Sequence, residues 1–389
     1  MKTLPDNPDL DHLRRQAKDL LAGLRDSDPT VPLAAAQASL ARQYGFRTWT
    51  ALKAEVDRLR GRVDVADPVL AQRIAVLFGL GEVTGPLRSV SRPDEVGRRW
   101  ALDTDRGRWS PRTVDDVYPV TDGEADTRFQ EAAALAGVTL PAPVRSTAGR
   151  VVEEIDGHRW RVHRWVSSGP PLAAPVSAAV TREVGGVLAA LHGLRLPVDG
   201  ICPWNARPLS SASWEDLAAL AASKGAAWAG LLAAAVPALA ELDSFDDEPT
   251  SEPVLCHNNI TPGNVRVGAG GRLVVVGWEH ASGLPPEWEV AAALVTWAVD
   301  PAGGVNAAGA GALVDGYRAR AGGVPELGLG TFRGSATALR NYVSGQVHGA
   351  LAAEGVEERT FADRAIRHLL AHLPSKATYR QLLRELARR

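Results

Sequence analysis

Cysteine, lysine and long apolar runs are scarce in this sequence. Its two cysteines, Cys202 and Cys256, are too few for a disulfide framework or a Cys-rich zinc site, and both fit a reducing compartment. No window approaches the roughly 18 apolar residues of a membrane-spanning helix. Residues 1–5 open into a polar segment without the apolar run of a signal peptide. We therefore expect a cytoplasmic protein without a membrane anchor.

A strong net charge is also missing. The 389 residues carry 43 basic and 45 acidic side chains, 45% of the residues are hydrophobic, and the formal net charge is -2. This composition favours neither a disordered chain nor a nucleic-acid or membrane-surface binder. Lysine occurs only at positions 2, 18, 53, 224 and 376, so the other basic residues are arginine and none between 53 and 224 is lysine.

The length favours two or three domains, and the pattern along the chain divides it into three. Residues 1–62 show helical spacing of leucine and alanine and predict a helical bundle. We expect this bundle to solubilise or dimerise the protein, with docking of a protein partner as the alternative. Residues 69–167 contain short β-rich runs and one helix at about 124–137, and residues 168–389 are mostly helical. The predicted fold class is therefore α+β.

Two local patterns define the β-rich part and its end. Asp156-Gly157 joins two apolar runs, 151–155 and 160–166, and this is a strong signal for a β-hairpin. After Pro170-Pro171 the chain becomes helical, which indicates a hinge. In the helical part, Val254-Leu255-Cys256 and the run 272–276 predict a strand, a turn and a second strand.

The segment 254–279, VLCHNNITPGNVRVGAGGRLVVVGWE, resembles the catalytic region of the aminoglycoside phosphotransferase and choline kinase group of the protein-kinase-like superfamily. His257, Asn264 and Trp278 match the histidine, asparagine and aromatic residue of that group's pattern. The helix ending LAALHGL (188–194) and the run RVHRWVSSGPP (161–171) resemble its neighbouring segments. The resemblance covers about residues 70–389 and implies a two-lobed kinase-like fold, with a small antiparallel β lobe and a large helical lobe.

Several positions depart from what this resemblance implies. The catalytic aspartate corresponds to Asn259, and an amide cannot act as a base. The magnesium-binding aspartate corresponds to Gly277, which has no side chain. The nucleotide-binding lysine corresponds to Arg112, with Glu131 at the position of its glutamate partner. The first β-turn carries Asp94 and Glu95, which repel phosphates.

The resemblance assigns the remaining site residues. His257 is expected to support the catalytic loop from within, and Asn264 is the remaining nucleotide and metal contact. Glu279 would reach the vacant metal position only along an altered backbone path, and His280 is a candidate for ligand contact or for a general acid. An acidic run, 241–252, includes Asp246 and Asp247 and would attract a cationic substrate, although a solvated loop between a helix and a buried strand is the stronger explanation.

These departures predict a pseudoenzyme of the phosphotransferase fold that binds a small molecule in the cleft between the lobes or has a regulatory role, without ATP or magnesium as cofactors. One alternative is an active small-molecule O-phosphotransferase that uses ATP and magnesium, with Arg112, Asn264 and Glu279 as its rearranged groups. The other is a non-phosphoryl enzyme that uses His280 or Glu279 as acid or base in the same cleft. Nucleotide binding distinguishes the first alternative from the rest.

Overall fold

The computed structural model describes residues 10–27, 30–44, 46, 48–49, 52–53, 55–56, 68–90, 99–114, 123–172, 174, 176–245, 248–300, 303–352 and 356–388. The helices are α1 (Leu10–Ser27), α2 (Leu33–Gln43), α3 (Pro68–Leu77), α4 (Gly123–Leu135), α5 (Ala178–His192), α6 (Pro203–Ala206), α7 (Trp214–Ser223), α8 (Ala229–Leu242), α9 (Pro286–Ala298), α10 (Ala307–Ala321), α11 (Arg333–Ala352), α12 (Val356–Ala371) and α13 (Lys376–Ala387). The strands are β1 (Arg88–Ser89), β2 (Trp100–Thr104), β3 (Gly107–Thr113), β4 (Pro143–Val144), β5 (Glu153–Ile155), β6 (His158–Arg164), β7 (Ser168–Pro171), β8 (Val254–Cys256), β9 (Val265–Gly268), β10 (Leu273–Val275) and β11 (Ser282–Leu284). The α+β class is confirmed.

The chain forms two compact units. The first contains Met1–Asp115 and Pro143–Trp165, and the second contains Asp116–Ala142 and Val166–Arg389. The domain boundaries predicted at 62/69 and 167/168 stay predictions. Within the described ranges, every helix is too short or too polar to cross a membrane.

The first unit contains an antiparallel sheet with the strand order β1-β2-β3-β6-β4, in which β5 also pairs with β6. Three tryptophans, Trp100, Trp109 and Trp160, lie on one face and form a buried cluster with α3. The predicted hairpin is confirmed: Ile155 pairs with His158, and Asp156 and Gly157 have φ of +53° and +75°. Two positive φ values match the twist of a two-residue hairpin turn.

The opposite face of this sheet is rich in arginine. The cross-strand pairs Arg99 with Arg112 and Arg112 with Arg161 place three arginines on the face that also carries His163. Burial, and then the charges of these arginines, holds the pKa of His163 well below its ordinary value. This imidazole is therefore neutral at pH 7.

The N-terminal helices α1 and α2 pack through a small apolar cluster that includes Leu10, Leu13, Ala41, Leu52 and Val56. Leucine and alanine at helical spacing form this cluster, as the sequence predicts. The partner role of residues 1–62 stays a prediction.

In the second unit the sheet pairing differs from the sequence prediction. The strand β8 pairs with β11, whereas β10 pairs with β9, which in turn pairs with β7. Both predicted strands exist, as β8 and β10, but the prediction that they form one strand-turn-strand unit is wrong. The short runs 265–268 and 282–284 provide the actual partners. Each is only three or four residues long and contains a glycine, which makes its strand signal weak.

Helices α5 and α10 pack closely because glycines line their contact. A Cβ at Gly185 would lie 1.9 Å from the carbonyl oxygen of Leu313, and a Cβ at Gly316 would lie 1.9 Å from that of Arg182. At the neighbouring Gly186 the nearest atom to a Cβ would be 3.9 Å away. The contact thus requires glycine at 185 but not at 186.

Gly185→Ala is expected to destabilise the protein by about 1–3 kcal/mol, because its methyl group would push two helix backbones apart. Gly186→Ala removes a helix-interior glycine without a clash and is expected to stabilise by about 0.5–1 kcal/mol. Urea denaturation of both variants measures the difference. Equal free energies of unfolding for the two variants would contradict this packing.

Candidate functional site

The segment between β8 and β9 forms the loop in which the sequence analysis places the catalytic groups. It contains His257 and Asn259 and ends in a 3-10 turn, Pro262–Asn264. The carbonyl of Asn259 accepts hydrogen bonds from the Thr261 amide (2.8 Å) and from Nδ2 of Asn264 (3.1 Å). The half-buried side-chain amide of Asn259 makes no hydrogen bond with any residue that the structure describes.

Gly277 lies directly below this loop in a left-handed conformation, with φ +83° and ψ +34°. A Cβ at this position would lie 2.7 Å from Cγ, 2.8 Å from Nδ2 and 2.9 Å from Oδ1 of Asn264. The Asn264 amide therefore occupies the space into which a side chain at 277 would project. Left-handed backbone favours glycine, with asparagine and aspartate the next most tolerated residues.

His257 is fully buried and stands edge-on to Trp278, with ring centroids 4.6 Å apart. Neither ring nitrogen makes a hydrogen bond of good geometry with a described residue. Burial lowers the pKa of His257 to about 4, against the opposing charges of Glu289 and Glu279 and a nearby Val276 backbone group. A neutral buried imidazole fits the expected support of the loop, and the catalytic assignment of His257 stays a prediction.

Acidification from pH 7 to pH 5 is expected to remove about 2 kcal/mol of unfolding free energy through His257. The unfolded histidine binds a proton near pH 6.5, whereas the folded ring does so only near pH 4. Its contribution is thus complete above pH 6.5 and declines down to about pH 4. Urea denaturation at both pH values, compared with His257→Phe, isolates the effect, since buried His163 contributes equally in both proteins. The same pH dependence in wild type and variant would refute this assignment.

A buried carboxylate fastens the loop to α9. Glu289 is 3% exposed, and its Oε1 accepts the backbone N–H of Asn258 at 2.5 Å. Its Oε2 lies 2.8 Å from Nε2 of His192, whose Nδ1 lies 3.0 Å from the Tyr317 hydroxyl. Burial acts to raise the pKa of Glu289, but the hydrogen bond from His192, the nearby imidazoles of His192 and His257 and the Asn258 amide together hold that pKa below its ordinary value. Glu289 is therefore ionised.

Asn258 connects this anchor to the surrounding polar groups. Its φ is +56°, a conformation that asparagine tolerates. Its Nδ2 donates to Oδ1 of Asn205 and to Oγ of Ser282, both at 2.9 Å. None of Glu289, Asn258 and Asn205 is among the site residues predicted from the sequence. An acid within an apolar helix was the available signal for Glu289, because buried acids occur only where they are paired.

Cys256 lies beside this anchor. One ligand atom each of His192, Cys256 and Glu289 falls within a group no wider than 4.8 Å. Burial, followed by the charge and hydrogen bond of Glu289, raises the pKa of the Cys256 thiol well above its ordinary value. The thiol is therefore protonated, and the histidine and the carboxylate already bind each other.

The other predicted site residues lie in different parts of the chain. Arg112 lies half-buried in β3 of the first unit, and Glu131 lies half-buried in α4 of the second. Glu279 and His280 are half-buried in the 3-10 turn that follows Gly277. Asp246 and Asp247, like the turn residues Asp94 and Glu95, lie outside the described residues. The functional roles of all these residues stay predictions.

In the described part of the acidic run, two carboxylates hold the helices together. Asp243 accepts a hydrogen bond from Nε1 of Trp214 at 2.7 Å and pairs with Arg340. Glu248 forms an exposed ion pair with Arg333, at 3.2 Å. These contacts favour the structural explanation of the run for these two residues.

Comparisons with known proteins agree with this geometry. The profile of the phosphotransferase enzyme family matches residues 92–322. Spectinomycin phosphotransferase in complex with ADP and spectinomycin has a similar structure, with a TM-score of 0.60, 11% sequence identity, and coverage of 82% of this chain and 99% of that chain. An aminoglycoside phosphotransferase from Alicyclobacillus acidocaldarius has a TM-score of 0.50 and 14% identity, with coverage of 80% and 96%. No curated protein sequence matches the chain.

At these identities the structural likeness shows the fold alone, and it confirms the kinase-like fold that the segment 254–279 predicts. The family profile spans more than half of the chain and includes the whole loop from His257 to Asn264. The chain therefore belongs to the phosphotransferase enzyme family.

Proposed function

We propose that this chain is a ligand-binding or regulatory member of its family with little or no ATP-dependent phosphoryl transfer. The observation that carries the proposal is the contact between Gly277 and Asn264. The family's metal-binding carboxylate is replaced by glycine, and the Asn264 amide lies 2.7–2.9 Å from the point where a Cβ would stand. At this position the chain offers no carboxylate, and the flexible Asn264 side chain lies where one would begin.

The position of the base supports the same proposal. Asn259 presents an amide where the resemblance implies an aspartate, and an amide has no basic lone pair at neutral pH. Loss of a general base typically slows a reaction by about 10² to 10⁴. The adjacent His257 does not substitute for it, because its ring is fully buried against Trp278.

The residues present do not fit a magnesium ion. Magnesium takes about six oxygen ligands in octahedral geometry, with carboxylates as its usual protein ligands. Gly277 offers no side chain, so of the two protein ligands that the resemblance implies only Oδ1 of Asn264 remains, while its Nδ2 donates to the Asn259 carbonyl at 3.1 Å. We therefore propose neither magnesium nor ATP as a cofactor.

A small molecule remains the proposed ligand, because the similar spectinomycin phosphotransferase structure contains ADP and spectinomycin. The polar groups of Asn205, Asn258 and Ser282 converge next to the loop, where they bind one another. The two free, buried cysteines support a reducing, cytoplasmic location.

Nucleotide binding and phosphate transfer test the proposal. The thermal midpoint should stay unchanged in millimolar ATP with magnesium, since a ligand stabilises by RT ln(1 + [L]/Kd). Radiolabelled phosphate from ATP or GTP should not reach spectinomycin, aminoglycosides or choline above a heat-killed control. A large magnesium-dependent stabilisation together with transfer would overturn the proposal.

One observation favours an active phosphotransferase as the second candidate. The charge of Glu279 acts on His257 and raises its pKa, so this carboxylate lies close to the loop. It is the nearest replacement for the missing metal ligand along the chain. Wild-type transfer that disappears in Glu279→Gln but survives in Glu252→Gln, in which a distant carboxylate is removed, would establish this alternative.

A further inference from the structure

A cavity lies in the second unit, away from the loop described above. Its volume is about 420 Å³, within the range typical of small-molecule sites. The turn after α4, one face of α5, the end of α10 and the start of β10 form its walls. We call it the arginine pocket, because Arg272 and Arg320 line it together with Glu183, Val138, Val187 and Leu273.

Both guanidinium groups have N–H donors that no described carboxylate binds. Nη2 of Arg320 donates to the carbonyl of Ala136 at 2.6 Å, which fixes the side chain at the wall of the pocket. The other N–H groups of this guanidinium remain available to a ligand. Among the described residues, neither Arg272 nor Arg320 pairs with a carboxylate, and Glu183 does not pair with either of them. The pocket therefore carries a net positive charge.

The apolar wall of the pocket complements these charges. Val138, Val187 and Leu273 face the same cavity as the two arginines. Gly186 also lines it, and a Cβ there would find no atom closer than 3.9 Å, so the surface at this glycine is open. An apolar wall with a few convergent polar groups is the usual composition of a ligand site.

The arginine pocket is separate from the catalytic loop. Arg272 and Leu273 stand at the start of β10, whereas Gly277 follows its other end. A strand of this length spans roughly 10 Å. The turn that lines the pocket is bound to the same strand, since the Val275 amide donates to the Thr139 carbonyl at 2.9 Å. A ligand in the pocket would therefore brace α4 against β10.

We propose that the arginine pocket binds a small amphipathic organic anion, with its anionic head between Arg272 and Arg320 and its apolar body against Val138, Val187 and Leu273. Guanidinium groups bind carboxylates and phosphates through paired, charge-assisted hydrogen bonds. This site is independent of the function proposed for the loop.

Isothermal titration calorimetry of the full chain tests this site with 2-naphthoate and 2-naphthyl phosphate, and with 2-naphthamide as a neutral analogue. We expect saturable binding of at least one anion and at least tenfold weaker binding of the amide. The preferred anion identifies the head group. Failure of both anions to bind at about 5 mM, or equal binding of the amide, would overturn the proposal.

Variants then locate the binding. Arg272→Gln and Arg320→Gln should each weaken binding at least tenfold, and Arg384→Gln, on the exposed face of α13, should not. Gly186→Leu should fill the pocket and abolish binding, while Gly230→Leu, on a helix surface with no atom within 4 Å of a Cβ, should leave it intact. Circular dichroism confirms that each variant is folded. Unchanged binding in the arginine variants or in Gly186→Leu would place the ligand elsewhere and refute the proposal.

Discussion

Glu289→Gln is expected to lower the free energy of unfolding by about 2–4 kcal/mol, because it removes a buried charged acceptor shared by two donors, and a hydrogen bond to a charged group contributes about 1.5–3 kcal/mol. The carboxylate satisfies two partners at once, the Asn258 amide at 2.5 Å and the His192 ring at 2.8 Å. A neutral amide cannot accept from both with the same strength, and its NH₂ group would oppose a donor. The loop from 257 to 264 would thus lose its attachment to α9.

A matched control separates this effect from the loss of a surface charge. Glu385 pairs with Arg388, also at 2.8 Å, but this pair is exposed on α13. Glu385→Gln is therefore expected to cost less than about 1 kcal/mol. Urea denaturation at pH 7 measures both variants. Similar losses for Glu289→Gln and Glu385→Gln would show that Glu289 does not anchor the loop.

The direction of the pH dependence gives a second signature of this anchor. Because the pKa of Glu289 is lowered in the folded protein, its stabilisation is complete above the pKa of an unfolded glutamate. It is lost as the pH falls through the lower, folded value. Below about pH 4.5 the wild type should therefore lose stability more steeply than Glu289→Gln.

The elements that the sequence predicts correctly are those with a strong local signal. Asp156-Gly157 determines its hairpin turn, because both residues adopt positive φ and the flanking runs alternate. The helix α5 follows from apolar residues at helical spacing, and Val184, Leu188 and Leu191 are buried as expected. No long-range contact is needed to recognise either element.

The pairing of β8 depends instead on contacts distant in sequence. Its partner β11 contains serine and glycine, and the pairing of Cys256 with Ser282 joins residues 26 positions apart. Such short strands have little intrinsic preference for their conformation, so the tertiary structure determines them. For this reason the sequence indicates the strand β8 but not its neighbour.

The candidate site likewise has one part that the sequence predicts and one part that depends on distant contacts. The spacing of His257, Asn259 and Asn264 is a local property, and it identified the loop. The anchor requires Glu289 and His192, which are 97 positions apart. An acid on an apolar helix signals burial, but only the fold shows which amide it binds.

The contact between Gly277 and Asn264 was also hidden from the sequence. A glycine at 277 indicates a missing ligand, but it does not show that a neighbouring amide has moved into the space. This contact changes the expected outcome of restoring the two aspartates. Asp at 277 tolerates the left-handed backbone, yet it requires the Asn264 side chain to turn away.

The double variant Asn259→Asp with Gly277→Asp is expected to bind magnesium-ATP about 100-fold more tightly than wild type. Changes in residues that only support a metal ligand alter affinity by about 10- to 100-fold, so restoring a direct ligand should reach the upper end. The new carboxylate would supply the missing oxygen ligand next to Oδ1 of Asn264. Calorimetry with ATP measures the gain, which EDTA should remove.

The matched control is Asn259→Asp with Gly277→Ala, which introduces the same Cβ, and so the same crowding against Asn264, without a carboxylate. It should bind magnesium-ATP no better than wild type. Equal affinities of the two double variants would show that displacement of Asn264, rather than metal ligation, limits binding.

Turnover requires more than binding, because Arg112 and the acids Asp94 and Glu95 differ from a phosphate site as well. Arg112→Lys in the double-aspartate background should therefore be the first variant in which transfer of labelled phosphate is detected, since the compact lysine charge suits a phosphate contact that the planar guanidinium approaches differently.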